Sequence, residues 1–204
     1  MRRSVPGKLA IFFALTMPAA TVAAPPVGLS PERVREAIQW GLAAPEPELA
    51  QYEMKTDRTW LVNFDTPFLR VAQLARSMRV QNTPFTAEDV PPRTTADEVH
   101  VYAHARPEGA TQRGPSLPNI EHVLIVRTRE DGAGTEPLSP LSVQSFVRRV
   151  PMGDDWSGPT RIARSVKAVF PLHVLAPGND VRLVFESGET QTVRITAEML
   201  SRVR

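Results

Sequence analysis

The chain contains no cysteine among its 204 residues. This absence excludes disulfide bonds, thiol nucleophiles, covalent haem attachment and thiolate metal sites. A chain of this length buries enough apolar surface to fold without covalent or metal supports. We therefore expect side-chain packing alone to stabilise the fold.

The sequence also lacks an apolar run of the roughly 20 residues that a membrane-spanning helix needs. The apolar stretch 9–17 ends at Pro18. It follows a basic segment and precedes a stretch of small residues, which is the pattern of a secretory signal peptide. We predict cleavage after Ala23, no membrane insertion of the remaining chain, and an exported protein that works in the periplasm or outside the cell.

Lysine is scarce, and the small positive charge comes from the beginning of the chain. Only three lysines occur, and 24 basic against 22 acidic residues give a formal charge of +2. Removal of the predicted signal peptide takes away Arg2, Arg3 and Lys8, which leaves 21 basic and 22 acidic residues, or about −1. We expect no nucleic-acid partner, because that function requires a basic surface.

Proline is abundant, and it sets the expected domain organisation. The 20 prolines break the chain into short segments, as in turn-rich β structure, while 42% apolar and 23% charged residues are typical of a soluble globular protein. We divide the chain into a signal peptide (1–23), an N-terminal helix-strand-helix portion (24–95) and an antiparallel β domain that ends in a short helix (96–204).

The N-terminal portion carries two helix patterns on either side of a strand pattern. Residues 30–42 begin with a Ser-Pro cap, residues 59–65 are rich in strand formers, and residues 65–79 begin with Asp-Thr-Pro. The apolar faces of the helices comprise Val34, Ala37, Ile38 and Gly41 in the first and Phe68, Leu69, Ala72, Ala75 and Met78 in the second. Arg70, Arg76 and Arg79 lie off the second face. We interpret them as a solvated edge of a core helix rather than as a membrane-surface anchor.

The β domain is predicted from six short runs of strand-forming residues between Pro, Gly, Asn and Asp clusters: 98–106, 120–128, 141–150, 161–170, 181–186 and 190–195. Ser187-Gly188 between the last two runs is a hairpin signal. Strand number and spacing predict an α+β fold in which an antiparallel, immunoglobulin-like β sandwich follows a small helical portion.

The segment 98–106 contains two histidines four residues apart, a spacing that suits a metal on a helix. Here Val99, Val101 and Ala103 alternate with His100, Tyr102 and His104, so the period is that of a half-buried strand. On a strand, positions four apart are separated by about 13 Å. His100 and His104 therefore cannot share a zinc ion, whose ligand nitrogens lie about 2 Å from the metal.

One metal hypothesis survives this argument. If the strand 120–128 pairs with 98–106, His122 lies near His104, and a carboxylate or His173 supplies a third ligand. The alternative is that the histidines are exposed or edge residues of a sheet face, with Tyr102 packed between them and His122 hydrogen-bonded at the core edge.

The loop 152–159 offers a second candidate site. Asp154 and Asp155 stand beside Trp156, and a carboxylate pair with an exposed indole suits a glycan substrate. The same loop has the Gly, Asp, Ser and Pro content of an ordinary turn, in which adjacent carboxylates diverge.

The sequence contains none of the common hydrolase, phosphate-loop, dinucleotide or calcium-loop motifs. It therefore predicts no catalytic residue and no cofactor. We expect a non-enzymatic binding or interaction module whose partner is an unknown protein or an envelope ligand. Two alternatives stay open: a hydrolase of envelope polymers or glycans, and a structural envelope component that associates through an edge strand.

Overall fold

The computed structural model describes residues 28–43, 53–55, 60–105, 119–128, 134–151 and 160–202. In these ranges the chain forms three α-helices and nine strands. The helices are α1 (Pro31–Ala43), α2 (Pro67–Val80) and α3 (Ala197–Arg202). The strands are β1 (Glu53–Lys55), β2 (Trp60–Asp65), β3 (Glu98–Ala105), β4 (Ile120–Thr128), β5 (Thr135–Leu138), β6 (Ser142–Pro151), β7 (Thr160–Pro171), β8 (Asp180–Phe185) and β9 (Thr190–Arg194).

The strands form two antiparallel sheets. A five-stranded sheet has the order β1-β2-β3-β7-β6, and a four-stranded sheet has the order β5-β4-β8-β9. Every pair of neighbours is antiparallel, and β4 has a register shift between Ile120 and His122. The predicted mixed α+β architecture with an antiparallel sandwich is confirmed at this level.

The sheets face each other across one core. Trp60 of β2 and Phe185 of β8 are fully buried and their rings lie 5.5 Å apart, which joins the two sheets directly. Residues of β2, β3, β4, β7 and β8 supply most of the rest of this core: Val62, Phe64, Val99, Val101, Ala103, Ile120, Val123, Ile125, Val166, Ala168, Phe170, Val181 and Leu183. β2 lies within the predicted N-terminal portion, so that portion contributes a strand to the sandwich core.

The helices α1 and α2 form a second, smaller apolar cluster. Ser30 accepts a hydrogen bond from the Arg33 amide at the start of α1, and Thr66 accepts one from the Leu69 amide at the start of α2. Gly41 of α1 sits so close to α2 that a Cβ there would overlap the backbone of Ala72. The predicted stripe of α1 is buried as expected, whereas α2 also buries Val71 and leaves Met78 only partly covered.

The hairpin predicted at Ser187-Gly188 is confirmed. The strands β8 and β9 pair with Val184 opposite Thr190, and Gly188 takes a φ of 79°, which only glycine adopts without strain. The short strands β1 and β5 were not predicted, because three or four residues give too little alternation to recognise and β5 contains Pro137.

Candidate functional site

Three strands of the five-stranded sheet place polar side chains on the face that points away from the sandwich core. Because strand residues alternate between faces, the buried apolar residues of β2, β3 and β7 leave the opposite face to their neighbours. The cross-strand register puts Asp65 opposite His100, and it puts Asn63 and Lys167 on either side of Tyr102. We call Asp65, Glu98, His100 and Tyr102 the His100 cluster.

His100 is held by two carboxylates from different strands. Its Nε2 lies 3.1 Å from Oε1 of Glu98, and its Nδ1 lies 3.5 Å from Oδ2 of Asp65. The imidazole side chain is only 11% exposed. The sequence predicted that this histidine lies on the polar face of its strand, which the register supports, but the interpretation as an exposed residue was wrong. Asp65 and Glu98 cover it from both sides.

Tyr102 continues the cluster along β3. Its ring meets that of His100 edge-on at 6.4 Å, and the Lys167 ammonium lies 5.9 Å from the centre of the phenol ring. Burial raises the pKa of the Tyr102 hydroxyl, the carboxylate of Asp65 raises it further, and the guanidinium of Arg70 opposes them. Tyr102 thus packs beside His100, and the cation over its ring comes from the neighbouring strand.

Arg70 of α2 reaches the cluster from the helical side. Its guanidinium donates to four backbone carbonyl oxygens: Asp65 at 3.0 Å, Thr94 at 3.1 Å, Ala96 at 3.0 Å and Glu98 at 3.2 Å. Burial lowers the pKa of this guanidinium, which the neighbouring carboxylates partly offset. The prediction that Arg70 forms part of a solvated edge was wrong, because the segment leading into β3 folds back over it.

The His100 cluster does not have the geometry of a metal centre or a catalytic base. The two carboxylates contact opposite nitrogens of the ring, so their oxygens cannot converge on one ion. Among the described residues no group of three or more His, Asp and Glu side chains could hold a metal. Both ring nitrogens face carboxylates, and within the described chain no hydroxyl is hydrogen-bonded to His100. A general base must accept a proton from a nucleophile or water within reach, and neither nitrogen is available for one.

The histidine pair needed for the surviving metal hypothesis does not form. His104 lies on β3, which pairs with β2 and β7, whereas His122 lies on β4, which pairs with β5 and β8. His122 is exposed beside Glu121, and His173 is exposed in the turn that follows β7. The strand pairing on which the metal hypothesis depended therefore does not occur. The glycan-site candidates Asp154, Asp155 and Trp156 lie outside the described residues.

The far edge of the same sheet carries an exposed apolar strip. β6 pairs only with β7 in the described chain and forms the end of the sheet. Four large apolar side chains between residues 141 and 147 are strongly exposed: Leu141 at 65%, Val143 at 51%, Phe146 at 40% and Val147 at 65%. The other exposed residue of this kind in the described chain is Val80, at the end of α2. We call residues 141–147 the β6 strip.

The two strands at this edge also have charge of one sign. The segments of β6 and β7 contain Arg148, Arg149, Arg161, Arg164 and Lys167, and they contain no Asp or Glu. This concentration is notable because the whole chain is close to neutral. Within the described residues the edge therefore combines exposed apolar side chains, a strand with only one neighbour and a basic sequence.

Sequence reasoning missed most of these residues. Glu98 could have been found, because it stands two positions from His100 and so shares its strand face. Asp65 and Arg70 reach the cluster only through strand register and a long-range contact. The β6 strip has no strict alternation that marks it as an edge, so no local pattern distinguishes it from a buried strand.

Comparisons of the chain with protein-family models, with curated proteins and with solved structures find no match. Within the described residues, no helix has the length and apolar character needed to cross a bilayer. The functional argument thus depends on the chemistry of the surfaces themselves.

Proposed function

We propose that the protein is an exported, non-enzymatic interaction module that binds an extended, acidic polypeptide segment along the free edge of β6. One observation carries this proposal: the end strand of the five-stranded sheet exposes large apolar side chains on both faces, with Val143 and Val147 on one and Phe146 on the other. Natural sheets usually protect such edges with charge, proline or a covering element, since an open edge pairs with other chains.

The edge has the features of strand addition. In that mode the backbone of the incoming segment completes the sheet through hydrogen bonds, and alternate side chains pack on the exposed surface. β6 has ten residues, Ser142–Pro151. Pro140 precedes the strand and Pro151 is its last residue. Proline at both limits restricts the length over which a partner can pair, because its nitrogen donates no hydrogen bond.

The charge of the two edge strands selects the kind of partner. Five basic residues without a carboxylate attract an acidic segment and repel a basic one. A second copy of the chain would bring a second basic edge against the first. Charge therefore favours an acidic partner over self-association through this edge. Self-association is what the alternative of a structural envelope component requires.

The location and the finer fold class are part of the same proposal. The basic, apolar and small-residue regions within 1–23 support export, and the absence of cysteine gives a fold that needs no oxidation in the periplasm or outside the cell. Two facing antiparallel sheets with one core support an immunoglobulin-like sandwich, whose edges and loops commonly mediate recognition.

The hydrolase alternative receives less support. It requires polar groups that converge on one accessible point. His104 and His122 lie on different sheets, and both nitrogens of His100 face carboxylates. A binding role needs no such convergence.

The proposal is tested with labelled ten-residue peptides of alternating Glu and Val, compared with alternating Lys and Val. Fluorescence anisotropy at low and at physiological salt measures binding to the protein purified from cells that express the full chain. We expect the Glu/Val peptide to bind at least about tenfold more tightly than the Lys/Val peptide, with the difference shrinking as salt rises.

Matched variants locate the binding surface. Val147→Asp places a carboxylate on the β6 strip, whereas Val80→Asp makes the same change at a valine exposed by 74% on α2. We expect only Val147→Asp to abolish Glu/Val binding. Equal binding of the two peptides, or equal loss in both variants, contradicts the proposal. So does a concentration-dependent dimer in analytical ultracentrifugation that Val147→Asp dissociates, since it assigns the edge to a second copy.

A further inference from the structure

A cleft of about 280 Å³ lies where the helices meet one end of the sandwich. Its walls include Leu29 before α1, Leu172 and Leu175 in the turn after β7, and Leu200 of α3. Each of these four leucines is only partly buried. Phe68 of α2 forms the floor and is almost completely buried. The cleft is thus an aliphatic trough that opens to solvent, in a region separate from the β6 strip.

The volume of the cleft sets the size of a ligand. A dry cavity of about 150 Å³ accommodates benzene, with six carbon atoms. By proportion, a volume of about 280 Å³ accommodates roughly ten to twelve non-hydrogen atoms. Small-molecule sites typically start at about 300 Å³ and are mostly apolar with a few placed polar groups. The cleft falls at the lower end of this range and suits a small molecule rather than a polypeptide.

Arg33 is the one charged side chain among the residues that line the cleft. Its guanidinium carbon stands 4.6 Å from the centre of the Phe68 ring, which fixes the cation at the edge of the apolar floor. Within the part of the chain that the structure describes, Glu36 is the hydrogen-bond partner of the Arg33 side chain, and it binds Nη1 alone. Within the described residues Nε and Nη2 donate no hydrogen bond, and two such donors match the two oxygens of a carboxylate.

Both long helices begin at this cleft. Leu29 and Arg33 flank the first residue of α1, and Phe68 lies in the first turn of α2. The amino ends of helices carry partial positive charge, which adds to the charge of Arg33. The positive helix starts and the Nε side of Arg33, whose Nη1 is paired with Glu36, favour an anion at the cleft, and its walls favour a hydrocarbon.

We propose that this cleft binds a small aliphatic carboxylate, with its hydrocarbon chain between the four leucines and its carboxylate on Nε and Nη2 of Arg33. The site is independent of the β6 strip, since no residue of β6 lines it. The protein therefore has two binding surfaces, one for an extended polypeptide and one for an amphipathic anion.

Decanoate, which has twelve non-hydrogen atoms, is the first probe, and decanol is the uncharged control. Isothermal titration calorimetry measures both with the protein purified from cells that express the full chain. We expect saturable one-to-one binding of decanoate, with decanol at least about tenfold weaker, because a hydrogen-bonded charge is worth more than a neutral contact.

Two pairs of variants test the assignment. Arg33→Gln should weaken decanoate about tenfold or more and leave decanol unchanged. Arg35→Gln removes an exposed arginine that pairs with Glu32 on the same helix, and it should change neither affinity. Leu200→Trp should weaken both ligands, because the larger side chain fills the cleft while Arg33 is retained. Leu200 is a partly buried residue of α3 that packs against the sandwich core, so circular dichroism checks that the variant folds.

The negative outcomes are equally specific. Absence of decanoate binding to the unmodified protein overturns the proposal. Equal weakening by Arg33→Gln and Arg35→Gln also overturns it, because that result assigns binding to general surface charge. Decanoate affinity unaffected by Leu200→Trp places the ligand elsewhere on the molecule. Failure of the Glu/Val peptide to bind β6 leaves these measurements unchanged, so the two proposals fail separately.

Discussion

Strands β2 and β6 belong to the same sheet but experience opposite surroundings. In β2, Trp60 and Val62 have no exposed surface, and the last residue of the strand has its carbonyl bound by Arg70. In β6, Val143 and Val147 lie on the same face of the strand, and both are more than half exposed. The four-stranded sheet and the helices cover β2 and leave β6 uncovered.

This difference separates the stabilising part of the sheet from the part that is open to partners. At β2, the apolar side chains are buried, so substitutions there act on the free energy of unfolding. At the β6 end, the side chains retain the apolar surface that folding normally removes from water. A surface of this kind gains free energy only when something else covers it.

The largest expected difference in stability is between two aromatic truncations, one at β2 and one at β6. Trp60→Ala removes a fully buried indole that contacts Phe185 across the sandwich, and we expect a loss of about 4 kcal/mol in the free energy of unfolding. Phe146→Ala on the β6 strip should cost less than about 1 kcal/mol. Urea unfolding followed by circular dichroism measures both. Similar losses would contradict the assignment of β6 as an uncovered edge.

The next effect concerns the polar contacts at the covered end. Arg70→Met keeps much of the apolar stem but removes the guanidinium donor from four backbone carbonyls, of which Ala96 keeps the Glu98 amide, and we expect a loss of about 2 to 3 kcal/mol. The control, Arg93→Met, changes an exposed arginine in the turn before β3 and should stay within about 0.5 kcal/mol. A loss shared equally by the two variants would show that net charge, rather than the carbonyl contacts, is responsible.

A smaller effect should follow from Gly41→Ala. Alanine is the better helix former by about 1 kcal/mol, but the added Cβ overlaps the Ala72 backbone and forces α1 away from α2. We expect a net loss of about 1 to 2 kcal/mol, measured by thermal unfolding. Gln39→Ala, on the exposed side of the same helix, is the control and should not destabilise. A stabilised Gly41→Ala protein would mean that the helices are not in close contact.

The smallest effect is a pH dependence at Tyr102. Its pKa is raised in the folded protein, mainly by burial, so the folded state holds the phenolic proton more tightly than the unfolded state. The corresponding stability is complete below the unfolded pKa of about 10 and is lost as pH rises through the folded pKa. The free energy of unfolding of Tyr102→Phe should not show this decrease at high pH. Urea unfolding at pH 8 and at pH above 10 checks it, and parallel pH profiles for the two proteins would contradict it.

Local patterns predicted those parts of the molecule whose signals are local. Alternation at Val99, Val101 and Ala103 predicted a strand, the Ser-Gly turn predicted a hairpin, and the Asp-Thr-Pro sequence at 65–67 predicted where α2 begins. Each of these signals depends on residues within one element. For this reason the α+β sandwich could be predicted without knowledge of strand order.

The candidate surfaces could not be predicted, because they depend on contacts between distant parts of the chain. His100 looked exposed until the register brought Asp65 beside it. Arg70 looked solvated until the segment before β3 enclosed it. The cleft unites Leu29 with Leu200, which only the packing of the helices on the sandwich brings together.

The hydrogen bonds of Arg70 to distant backbone carbonyls have a consequence for local opening of the fold. Its guanidinium binds carbonyls that lie 24, 26 and 28 residues further along the chain. The helix α2 therefore cannot fray at its beginning without releasing the segment 94–98, and the reverse also holds. In native-state hydrogen exchange, we expect the backbone amides of these two segments to gain deuterium together, as one cooperative unit, instead of at the independent rates of a helix end and a surface turn.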